Sequence, residues 1–171
     1  MYLQRDRELR CIWLSQPKFL QDMKDKLPLQ DGDVYPSTPM VVKANSQTKA
    51  DIALQKQPLT AAEITDLQMI FGDTTWVTAC TRPDALFANN MAARHSSQPT
   101  QYDMKRALRV AHYLIGTMDL RLCIGGKGGV RMFATVDSSY ATHDDLKSHS
   151  MWTLHIGTGG AFVARTKKQS I

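Results

Sequence analysis

The spacing of apolar residues changes near residue 119, and this change confines the chain to folds that join a helical part to a separate antiparallel sheet. Upstream, Met104, Ala107, Leu108, Ala111, Leu114 and Ile115 recur at i, i+3, i+4 and i+7, the stripe of an amphipathic helix. Downstream, four short β-rich runs follow: Leu120–Ile124, Val130–Val136, Met151–Ile156 and Ala161–Ala164. Two glycine runs, 125–129 (broken by Lys127) and 157–160 (broken by Thr158), punctuate them in the manner of turns. An α+β fold follows, with a partial antiparallel sheet from residue 119 and an exposed edge.

The earlier part of the chain reads in three pieces. Tyr2-Leu3 and Leu9–Leu14 flank a charged centre and predict a two-stranded hairpin. Ser15 is the expected N-cap of a helix that has Pro17 in its first turn and Phe19, Leu20, Met23 and Leu27 on one face, ending at Pro28. From Leu29 to Pro58 the sequence is polar and turn-rich, and is expected to be an extended connector. Thr60 and Glu63 then make a capping box ahead of Ile64, Leu67, Ile70 and Phe71. Gly72-Asp73-Thr74-Thr75 is expected to interrupt that helix. Thr81-Arg82-Pro83-Asp84 opens the next, and Gly116, in a left-handed conformation, is expected to close the last.

Charge is distributed unevenly. The chain carries a net charge of +5, and residues 120–171 hold seven Lys and Arg against three Asp and Glu. This balance permits a nucleic-acid partner without requiring one. Cys11, Cys80 and Cys123 are odd in number and far apart, which argues against a disulfide framework or a zinc knuckle and for an intracellular setting, cytoplasmic or nuclear. No apolar run approaches the roughly 20 residues of a membrane-spanning helix, and the N-terminus has no signal-peptide core.

Four groups of residues could carry chemistry. Lys105, Arg106 and Arg109, with His112, share a helix surface that could follow phosphates; a solvated face is the plainer reading. Arg165, Lys167 and Lys168 present the same choice. Lys127 within its glycines lacks the following Lys-Ser/Thr of a phosphate loop and reads as a flexible linker between helical and β parts. The histidines at 95, 112, 143, 149 and 155 fit no zinc spacing and are expected on surfaces or turns, while Trp13, Trp76, Trp152, Phe71, Phe133 and Phe162 are expected in the cores.

Several segments, in order, resemble the reverse transcriptase of copia-type retrotransposon polyproteins. Leu14-Ser15-Gln16-Pro17-Lys18-Phe19 and Ser37-Thr38-Pro39-Met40 are similar to a stretch following the polymerase palm, and Thr81-Arg82-Pro83-Asp84 to a motif further on. Arg109–Thr117 resembles the family's helix end, with His112 and Ile115 where basic residues are usual. Asp137-Ser138-Ser139-Tyr140-Ala141, Asp144–Ser150 and Lys167-Lys168-Gln169 resemble the run that opens the family's ribonuclease H domain.

The resemblance implies a palm end, thumb helix and connector over 1–59, a helical thumb or connection over 60–118, and the start of a ribonuclease H domain over 119–171. It also implies an RNA–DNA hybrid or primer–template partner, contacted by Lys105, Arg106, Arg109, Lys147, Lys167 and Lys168, and the rest of a polyprotein as neighbour. In such enzymes carboxylates hold two Mg²⁺ ions. Asp137, at the expected end of its strand, matches the first ribonuclease H ligand; the family's polymerase Asp-Asp turn lies upstream of these segments, and its second ribonuclease H carboxylate lies on a helix after Lys-Lys-Gln. The expectation is therefore a vestigial Asp137 that binds no Mg²⁺ productively, in a segment inactive alone. A non-catalytic nucleic-acid-binding module retained from a retrotransposon is the alternative.

Overall fold

The computed structural model describes residues 1–30, 33–41, 48–127, 129–140 and 146–169. Thr142-His143-Asp144-Asp145, Asp31-Gly32 and Asn45-Ser46-Gln47 lie outside them. The fold is α+β. Packing divides the chain into two units: residues 1–17, 78–87 and 119–171 form one, and 18–77 with 88–118 form the other. These groupings interleave along the chain.

The helical unit contains α1 (Pro17–Lys26, from its second residue), α2 (Lys49–Leu54), most of α3 (Ala61–Cys80), most of α4 (Leu86–Ala92) and α5 (Gln101–Gly116). Pro17 occupies the first helical position of α1, where its missing N–H costs nothing. Ser15, expected as the cap, instead ends a strand, because Pro17 leaves Gln16 as the residue before the helix. The expected connector contains a helix. Thr48 caps α2 with its hydroxyl, and the Asp51 carboxylate returns to the Thr48 N–H at 2.9 Å. The Thr60–Glu63 box forms as read, with the Thr60 N–H donating to Glu63 at 2.8 Å.

Helix α3 runs unbroken through Gly72. A Cβ at Gly72 would meet open space, so packing does not require glycine there, and the following threonines are held from both sides. Thr74 donates to the Ile70 carbonyl at 2.8 Å and lies 2.7 Å from Asn89 Oδ1, while Asn89 Nδ2 donates to Thr75 at 3.0 Å. Asn89 therefore satisfies polar groups in a region where Ile70, Val77 and Thr74 are buried. At the end of α5, Gly116 is helical and not left-handed. Its hydrogen admits the Tyr35 side chain, which any Cβ would overlap.

The other unit holds two three-stranded antiparallel sheets, β1-β2-β3 and β4-β5-β6. Strands β1 (Tyr2–Asp6) and β2 (Cys11–Ser15) form the expected hairpin, and β3 (Leu122–Gly125) pairs with β2 through Leu14↔Leu122 and Cys11↔Gly125. This corrects the expectation that all strands beyond 119 share one sheet. The second sheet contains β4 (Met132–Ser139), β5 (His149–Ile156) and β6 (Ala161–Lys168).

Gly125, Gly126, Gly157 and Gly160 hold strands together, and Lys127 lies between β3 and β4, not between helical and β parts. Gly125 (φ +101°) and Gly157 (φ +68°) form a parallel bridge, and a Cβ on Gly157 would lie 2.8 Å from the Gly125 backbone. Gly160 N–H donates to the Cys123 carbonyl at 2.7 Å and Gly126 N–H to Arg10 at 3.1 Å.

Candidate nucleic-acid interface

Alternation along a strand sends successive side chains to opposite faces, so cross-strand register fixes which residues share a surface. Val136↔Trp152↔Arg165 and Ser138↔Ser150↔Lys167 form two adjacent rows on one face of the β4-β5-β6 sheet. Trp152 is 39% exposed, and both Arg165 and Lys167 are exposed. An aromatic ring beside two cations suits a nucleic acid strand, because the ring can stack on a base while the cations neutralise phosphates. Trp152, expected in the core, stands instead in an exposed row between Val136 and Arg165. Trp76 (54% exposed) and Phe133 (47%) also depart from that expectation.

The opposite face carries Asp137↔Met151↔Thr166 and Ser139↔His149↔Lys168. Phe87 packs edge-on against His149, with ring centroids 5.2 Å apart, and His149 hydrogen-bonds with the Thr166 hydroxyl. His149 is thus buried, not a surface histidine. Lys167 and Lys168, paired in the sequence reading, point to different faces. Lys147 is half-buried ahead of β5, and Lys127 is exposed between β3 and β4.

Asp137 lies inside β4, not at its end, because the ladder continues to Ser139↔His149. It is exposed and is the only acidic residue in the three strands. Among the described residues no group of three His, Cys, Asp or Glu side chains is placed to hold a metal ion. Two Mg²⁺ ions need several converging carboxylates, so the described residues do not fit that pair of ions.

The basic surface of α5 is engaged by its own unit. Lys105 Nζ sits 2.7 Å from Asp51 Oδ1. The Lys105 hydrogen bond, then those from the Thr48 backbone and hydroxyl, hold the Asp51 carboxyl down at about 2. Arg109 donates to Thr38 Oγ1 at 3.1 Å. Arg106 lies over the Tyr102 ring, 5.8 Å from its centroid, and His112 Nε2 lies 3.2 Å from the Leu27 carbonyl. A phosphate approaching Lys105 would have to compete with a carboxylate already in contact.

Two similarities to known proteins bear on the origin of the chain. The chain is 25% identical over 169 residues, 99% of its length, to the retrovirus-related Pol polyprotein from transposon TNT 1-94 of Nicotiana tabacum. That match spans 12% of the polyprotein. It is also 28% identical over 130 residues, 76% of its length, to an uncharacterised mitochondrial protein of Arabidopsis thaliana, of which the match covers half. The similarity supports a retrotransposon-derived sequence. No family model and no solved structure matches the chain. No helix among the described residues is long and apolar enough to cross a membrane.

Proposed function

We propose that this chain is a segment of a copia-type reverse transcriptase and ribonuclease H polyprotein, and that it contacts an RNA–DNA hybrid or primer–template through the Trp152, Arg165 and Lys167 face. The observation carrying the contact surface is the cross-strand register that puts Trp152 beside Arg165 and next to the row ending in Lys167. The similarity to a Pol polyprotein along nearly the whole chain supports the parentage. By themselves these residues hydrolyse no hybrid, since the ladder offers the single carboxylate of Asp137 where two-ion chemistry needs several.

The test is titration of the chain onto a fluorescent RNA–DNA hybrid at several salt concentrations. Binding should weaken as salt rises, and Arg165→Ala with Lys167→Ala should flatten the log–log salt slope by about two. Trp152→Ala should weaken binding with little change in slope. Replacing Lys105, Arg106 and Arg109 by Ala should leave the slope nearly unchanged; a larger loss there than from β6 would favour the α5 module instead. Salt-independent binding, or none, would overturn both. Hybrid cleavage that disappears in Asp137→Asn would overturn the inactivity.

A further inference from the structure

Cys11 and Cys123 are free thiols, far apart in sequence, that the first sheet brings together. The β2-β3 register pairs Cys11↔Gly125 and Trp13↔Cys123, so the two cysteines share a face as diagonal neighbours. Gly126 N–H donates to the Arg10 carbonyl at 3.1 Å, which flanks the first of these pairs. Gly160 and Thr158 N–H groups donate to the carbonyls of Cys123 and Gly125, turned away from β2. Both pairs are therefore non-hydrogen-bonded, the kind in which side chains approach most closely. Sheet twist shortens one of the two diagonals between such pairs, and a hydrogen bond between the Cys123 and Cys11 thiols marks this one as the short one. Gly125, opposite Cys11, has no side chain to come between the sulfurs.

We propose that Cys11 and Cys123 form a reversible disulfide that ties β2 to β3 when the chain meets an oxidising low-molecular-weight disulfide. Cys11 is 4% exposed and Cys123 is half-buried, so Cys123 is the thiol that the small molecule reaches first. Its thiolate attacks one sulfur of the small disulfide, whose S–S bond breaks; a mixed disulfide forms and one small thiol leaves, taking the proton that Cys123 gave up. The Cys11 thiolate then attacks the Cys123 sulfur and releases the second small thiol with the second proton. The protein dithiol loses two electrons and the small disulfide gains them.

The contact lies within one sheet of one unit and is set by the β2-β3 pairing itself. Burial, then the hydrogen bond and charge of Cys11 and the nearby charge of Asp6, pushes the Cys123 thiol up to about 11. Little thiolate exists at neutral pH, so the pair exchanges slowly and acts as a staple, not as a redox catalyst. Diagonal neighbours lie about 7–8 Å apart and a disulfide needs Cα atoms within about 7 Å, so closure draws β3 slightly toward β2. Strand β2 precedes α1 and β3 follows α5, so the bond closes a loop that contains all five helices. Closing so long a loop removes much of the freedom of the unfolded chain.

The test equilibrates the chain and its Cys80→Ser variant in buffers of oxidised and reduced glutathione, followed by alkylation, intact mass and peptide mapping. The Cys80→Ser chain should lose two hydrogens per molecule, with the peptides bearing positions 11 and 123 joined, and the parent should show the same joined peptides. Cys11→Ser or Cys123→Ser should leave nothing beyond mixed disulfides with glutathione, and far-UV circular dichroism checks that each variant keeps its fold. The equilibrium constant for closure should be at least about tenfold larger in the native chain than in urea, because the fold holds the thiols together. Its rate should rise about tenfold per pH unit between pH 7 and 9, as the thiolate fraction does. Thiols that stay reduced in oxidised glutathione would overturn the proposal, as would mixed disulfides without closure, a bridge through Cys80, or a closure constant no larger in the folded chain than in urea.

Discussion

Thirteen of the seventeen apolar residues buried among the described residues belong to the helical unit, and four, Cys11, Ala85, Leu86 and Leu122, belong to the unit with both sheets. None of those four lies on β4, β5 or β6. The helical unit draws its cohesion from side-chain burial, with Leu20, Met23, Leu67, Ile70, Val110 and Leu114 fully enclosed. The β4-β5-β6 sheet relies on backbone ladders and half-exposed cross-strand pairs such as Phe133 stacked on His155, with centroids 4.7 Å apart. A surface with little packing duty can present Trp152 and two cations on one face. The α5 surface lacks that freedom because its cations already satisfy partners in its own unit.

The two units should respond most differently to a matched pair of truncations. Leu114→Ala, at a fully buried position, should lower unfolding stability by about 2–5 kcal/mol, and Leu154→Ala, on the half-exposed β5, by about 1 kcal/mol or less, read from urea unfolding. Equal losses would mean that the sheet hides a core of its own. A smaller effect is expected at the end of α5, where Gly116→Val would drive a side chain into Tyr35. It should cost about 1–3 kcal/mol, and much of that loss should vanish in a Tyr35→Ala background if the overlap is the cause.

The smallest effect sharpens the contrast through pH. The folded-state carboxyl of Asp51 is lowered from 3.8 to about 2 by Lys105 and Thr48, so its contribution is present above pH 4 and is lost as pH falls from about 4 to 2. Acid melts should therefore show an Asp51-dependent loss of stability confined to that window. Asp51→Asn should remove that part of the pH dependence and leave the pH 6–8 profile parallel to the parent.

Local signals were readable where they depend on neighbours in the chain. The Thr60–Glu63 box, Pro17 in the first turn of α1 and the α5 stripe rest on residues within about four of each other, and the opening hairpin joins two strands that follow directly in the chain. Helix α2 was missed because its capping partner, Asp51, follows Thr48 inside a polar stretch with no sustained apolar period. The unbroken course of α3 could not be read either, since Asn89, which secures Thr74 and Thr75, lies 15 and 14 residues away. At the candidate interface the basic residues Arg165 and Lys167 were visible as types. Trp152 was not, because exposure depends on what covers a sheet.

The α+β class, the capped start of α3 and the runs that become strands follow from the sequence alone, since propensity, capping and period act over a few residues. Only the tertiary structure decided that β3 joins β1-β2, that Lys105 belongs to Asp51, that Asp137 stands as the sole carboxylate of its sheet, and which cations share a face with Trp152. Those outcomes depend on strand register and on contacts between distant residues, which no short stretch of chain specifies.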